Sequence, residues 1–403
     1  MPHSLFEKAV AAIDQGDLAS LKALILKHPE LVHMQQDSIE EPYAGYFHKA
    51  TLLHHVAFNP HRGMEVPANI VEIAALLLQS GADAKAICGG GPTQPESGHG
   101  TVIGLIVSSS QLINAGLTEP LVTLLAKKGG AIEYGKSGVN LFGALYHTVE
   151  NKKQKEAAHI LYDLGHDIDM VFAAGLGLLY AIKGYIHQDG YLREGADRFF
   201  SHHRRDSGKK ATDKEILQDC LLSATVTNEL EVMEFLLDLD LDLNAYRQWG
   251  PFSVTPLHAA AWSGWLEATE LLVKRGANTF LHDPEHNTTA IGWAHYCGRQ
   301  DVFDWYSQDD EYFNLFDAIE FGKFDRFKEL FADQDPDMAI GTGEKGVLLR
   351  MAAHGGYTEL AKFLLNRGAD PTLKNSEGKS AQDWAKAEGN EEIIRLLEDG
   401  NVK

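Results

Sequence analysis

The 403-residue chain carries 57 Asp and Glu against 36 Lys and Arg, a formal charge of −21, with 44% hydrophobic residues. So acidic a chain argues against nucleic acid and against an anionic membrane surface, since binding phosphate requires Lys and Arg to neutralise it. Three scattered cysteines, Cys88, Cys220 and Cys297, provide neither a disulfide framework nor a Cys-based metal site, so a reducing, cytoplasmic setting is expected.

Residues 4–33 read as a helix, a Gly16-Asp17 turn and a second helix ending near His28-Pro29, with Lys8, Asp14, Lys22 and Lys27 facing solvent. The opening residues carry acids where a secretion signal needs an apolar run. The next helical unit opens at Thr51-Leu52-Leu53-His54 and closes over 70–86, with residues 59–68 inserted between its helices. A third runs from Thr101 to Glu133, with an insertion at 111–118. The Gly-rich stretch 89–100 between them lacks the following Gly-Lys-Ser/Thr of a phosphate cradle and reads as a connector.

Residues 139–169 are a degenerate unit. A further one begins at Phe172 and dissolves after Ile182 into an irregular segment, 183–212. The apolar run Met170–Ile182 falls short of the roughly 20 residues a membrane helix needs. The pattern returns over 213–245, 255–278, 288–306, 313–337, 346–375 and 379–399.

The clearest unit is Thr255–Asn278, TPLHAAAWSGWLEATELLVKRGAN. Thr255-Pro256 opens a helix with a small apolar face (Leu257, Ala260, Ala261), Gly264 breaks it, and Gly276 stops a second helix. Short side chains let two antiparallel helices approach closely. The Thr-Pro-Leu-His opening and Gly-Ala-Asn close resemble an ankyrin repeat, and the whole chain resembles stand-alone bacterial multi-ankyrin proteins. The resemblance implies an all-α solenoid of about ten to eleven helix-turn-helix repeats joined by short β-turn or hairpin connectors. On this reading 1–182 and 213–403 are arms of one continuous array, with 183–212 inserted between them.

The resemblance makes His54 and His258, in the Thr-Pro-Leu-His motif, structural residues that bond nearby turns. Gly104, Gly292 and Arg350 take the same place in other units, so no ring of ligands arises. The position after the small pair of the first helix holds Phe58, Trp262, Tyr296 and His354, and the resemblance places it beside a concave groove. Aromatic residues there suit interface anchors, as does neighbouring Trp265; packing between repeats is the alternative. The connectors carry Tyr43, Tyr46 and Phe47, then Tyr246, Arg247, Trp249 and Phe252, as turn-tip candidates or as rings folded onto their own repeats.

Residues 193–210 hold six basic residues, Arg193, Arg198, Arg204, Arg205, Lys209 and Lys210, in an otherwise acidic chain. His187, Asp189, His202, His203 and Asp206 lack helical ligand spacing, so no metal is expected. No nucleophile or dinucleotide motif occurs, and neither catalytic residues nor cofactors are expected. The expected function is a non-enzymatic, monomeric scaffold binding a protein partner, with no nucleic acid or membrane. The alternative is an unusual enzyme or small-molecule binder built where insertions 59–68, 89–100, 111–118 and 183–212 converge.

Overall fold

A computed structural model describes residues 2–36, 47–58, 65–89, 100–130, 154–163, 168–198, 210–249, 252–332, 334–338 and 344–399. The described residues are mostly helical, with two short antiparallel ladders, Ile87–Cys88 on Gly100–Thr101 and Arg247–Trp249 on Phe252–Val254. They fall into two compact units, Met1–Ser263 and Gly264–Lys403.

The first unit opens with helices Pro2–Asp14 and Leu18–Lys27 packed as a pair. Asp17 caps the second, accepting the Ser20 N–H at 2.9 Å. Lys8, Lys22 and Lys27 face solvent, whereas Asp14 is half-buried. The Thr51 unit departs from the expected α-helix, since Leu52–Ala57 is a 3-10 segment stopped by Phe58 in the left-handed region (φ 43°). Helix Ile70–Gln79 packs on that segment and also on Thr118–Lys127. The insertion at 111–118 belongs partly to an extra helix, Ser110–Asn114. Of the degenerate unit 139–169, helix Gln154–Asp163 is described.

Beyond Ile182 the helix Leu179–Tyr185 continues, and the following segment is pinned where it is described. Ile186 bridges Leu192, the Arg193 N–H donates to Tyr185 O at 2.8 Å, and the Met170 N–H donates to Ala196 O at 2.8 Å. The long helix Asp213–Val226 carries a reciprocal Thr212–Glu215 capping box. It packs against Met170–Gly175, Leu230–Leu237 and Pro256–Ser263. Asn228 makes the turn after it at φ 59°, a conformation that usually selects glycine.

In the second unit, helices pair and then stack like on like. Leu315–Glu320 packs on Val347–His354, which packs on Ala381–Ala387; likewise Leu266–Lys274 packs on Gln300–Tyr306, and Thr358–Asn366 on Glu391–Asp399. Each pair is too small to bury its own apolar face, so neighbours supply the core. That core includes Phe313, Phe327, Phe331, Leu349, Leu360 and Leu364, all essentially buried. Gly264 shows why the inter-helix turn needs glycine: its φ is 77°, and a Cβ would lie 2.8 Å from the Arg299 Cδ.

Candidate interaction surfaces

The two motif histidines are structural. In the first unit the Thr51 N–H donates to His54 Nδ1 at 3.0 Å, and the Thr51 hydroxyl lies 2.9 Å from the same nitrogen. Thr255 repeats this with His258, hydroxyl to Nδ1 at 2.7 Å. Burial holds His54 neutral, depressing its pKa to about 4. Neighbouring His55 is pushed down to about 3 by burial first and by His54 second. Its ring packs against Phe6 and Phe47.

Three of the expected contact residues, Phe47, Phe58 and Trp249, are interior. Phe58 is fully buried and Trp249 is 1% exposed, so neither offers a surface to a partner. The 3-10 segment explains the first: at three residues per turn, with a left-handed end, the position after Val56-Ala57 no longer points where an α-helix would aim it. For Trp249 the cause is hairpin register, which pairs it with Phe252. Arg247 is not a free tip either. Its Nε donates to buried Asp219 at 2.7 Å, and a second nitrogen lies 3.7 Å from Glu215. Phe47 is buried, while Tyr43, Tyr46 and the histidines 202 and 203 with Asp206 lie outside the described residues.

The remaining candidates keep exposed area. In the first unit Trp262 is half-buried, with Phe252 edge-on at 5.1 Å, and Tyr246 is 36% exposed. In the second unit Trp265 is half-buried and Tyr296 is 62% exposed. His354 is exposed too, its Nδ1 3.2 Å from a Glu388 carboxylate oxygen and its ring edge-on to Trp384.

Two further residues join Tyr296. Its hydroxyl donates to the Glu320 carboxylate, and the Tyr357 hydroxyl donates to the Glu320 carbonyl at 2.9 Å. Burial first, and the Glu320 bond second, raise the Tyr296 pKa, so the phenol stays protonated. Glu320 precedes Gly322 by two residues, as Trp262 precedes Gly264, Tyr296 precedes Gly298 and His354 precedes Gly356. A search for rings alone passes over it, although its register is legible.

One more ionisable group stands out. Asp317 accepts from the Thr289 hydroxyl at 2.9 Å, and burial raises its pKa to about 6 against the pull of that bond and of the Asn314 backbone. Among the described residues no three His, Cys, Asp or Glu side chains gather as metal ligands. A shallow, open depression of about 480 Å³ is lined by Ile186, His187, Gln188, Asp189 and Arg193. No described helix is long and apolar enough to cross a membrane.

The Ankyrin repeat family model matches residues 254–284 and 348–376. The chain contains ankyrin repeats. Ankyrin repeats generally mediate protein–protein contacts, and the family is usually non-catalytic. An Arabidopsis thaliana protein, XBAT34, whose name assigns it provisionally as an E3 ubiquitin-protein ligase, is 34% identical over 88 residues. That match covers 22% of this chain and 23% of XBAT34, so the likeness spans about a quarter of that relative. One chain in the solved complex of the Bd0816 predatory endopeptidase from Bdellovibrio bacteriovorus with immunity protein Bd3460 matches with 24% identity. The match covers 45% of this chain and 97% of that one at a TM-score of 0.31, too low to establish a shared fold.

Proposed function

We propose that this chain is a non-enzymatic scaffold that binds a protein partner through exposed side chains on the first helices of its repeats. The observation that carries the reading is Tyr296, a large ring left 62% exposed at the register position that also holds Trp262 and His354. An apolar ring with few rotors, exposed on a rigid helix, is the kind of anchor that contributes most at interfaces. The acidic surface adds long-range steering of the encounter. Tyr246 and Trp265 extend the contact surface within their own units.

The test is quantitative binding of a captured partner to single variants. Trp262→Ala and Tyr296→Ala are each expected to cost about 2 kcal/mol or more of binding, with melting temperature followed in parallel. Losses under about 0.5 kcal/mol for both would assign the rings to packing alone. The alternative, a small-molecule site near 183–212, has the His187–Arg193 depression as its support among the described residues. That hollow is open and mostly polar, unlike the concave, apolar pockets that bind small ligands.

A further inference from the structure

The negative charge of the second unit is unevenly spread. Residues 264–337 hold 16 Asp and Glu against 6 Lys and Arg, while 338–403 hold 10 against 9. Within the acidic stretch, several carboxylates have cations at hand, for example Asp310 with Lys323 at 2.9 Å and Glu329 with Arg326 at 3.4 Å. Glu320 does not: among the described residues its carboxylate accepts from the Tyr296 hydroxyl, while the Tyr357 hydroxyl donates to its main-chain carbonyl. Three successive helix pairs thus bring together half-buried Glu320, whose carboxylate has no counter-ion among the described residues, an exposed tyrosine ring and a half-buried one.

We propose that Tyr296, Glu320 and Tyr357 form a recognition point for an arginine or lysine side chain of a basic peptide segment in the protein partner. The inference rests on the interaction reading above and names the chemistry of the partner. A cation laid over the Tyr296 ring gains from the ring quadrupole while its charge pairs with Glu320. The tyrosine bond already orients that carboxylate, so little rotor freedom remains to be lost on binding. The surrounding excess of ten negative charges favours approach of a basic segment and repels an acidic one.

Selection from a library of random peptides about twelve residues long, displayed on phage and panned against the full chain, tests the proposal. Selected peptides are expected to be enriched in Arg and Lys and to lose affinity as salt rises from about 50 to about 500 mM. By calorimetry, Glu320→Gln and Tyr296→Ala are each expected to weaken them about tenfold. Tyr296→Phe keeps the ring, and its retention of binding within about threefold shows that the loss in the Ala variant is not a folding failure. Basic peptides indifferent to both substitutions would overturn the placement. Acidic or uncharged peptides whose binding still depends on Tyr296 would overturn the basic partner and leave the interaction reading standing. Enrichment of no composition at all would count against both.

Discussion

Burial displaces the titration of an imidazole pair in one compact unit and of a carboxyl in the other. Met1–Ser263 encloses His54 and His55, kept neutral by burial well below their ordinary 6.5. Gly264–Lys403 encloses Asp317, whose carboxyl is raised from 3.8 to about 6 by the same cause. Desolvation penalises whichever form is charged, so one physical cause gives the two units opposite responses to acid. The consensus histidine of the repeat makes the first unit acid-sensitive; in the second, an aspartate stands at the corresponding helix position and reverses the sign.

Breaking the buried Arg247–Asp219 ion pair of the first unit should have the largest effect. Arg247→Met leaves Asp219, 1% exposed, without its guanidinium, and about 3–5 kcal/mol of stability to urea should be lost. Acid comes next. Stability from His54 and His55 is complete above about 6.5 and is lost as pH falls toward their folded values, by about 2 kcal/mol each at pH near 5. Amide exchange read separately in the two units should show the loss in 2–263, and an unchanged first unit would break the contrast.

Asp317 works the other way. Its penalty grows as pH rises through the window from 3.8 to about 6 and is full above it, so Asp317→Asn should stabilise the chain by about 1–2 kcal/mol at pH near 8 and leave it unchanged near pH 4. A destabilised variant at the higher pH would mean that the Thr289 bond outweighs desolvation. The smallest effect is expected at Lys362, whose pairs with Glu359 and Glu392 lie on the surface; Lys362→Met should not move the melting temperature measurably.

Sequence periodicity reached the helices of the clearest repeat. Thr255, Pro256, Gly264 and Gly276 mark helix starts and stops that need no tertiary knowledge, and the structure has helices at Pro256–Ser263 and Leu266–Lys274. Phe58 was out of reach because its exposure depends on a change from α to 3-10 winding, which no residue in Leu52–Ala57 announces. Arg247 was misread because its partner, Asp219, is 28 residues away on a helix longer than the repeat requires. Glu320 was legible by register but not by residue type: it matters only once a hydroxyl from one neighbouring helix pair is seen on its carboxylate and a hydroxyl from the other on its carbonyl.

That meeting also bears on how the second unit responds to force. Tension that peels helices from the C-terminal end must detach Tyr357 from the Glu320 carbonyl before helix Leu315–Glu320 is freed on that side. The Tyr296 hydroxyl holds the same residue from the other side. Glu320 is therefore a rivet through three layers, and a peptide seated on it would tighten the fastening against unravelling.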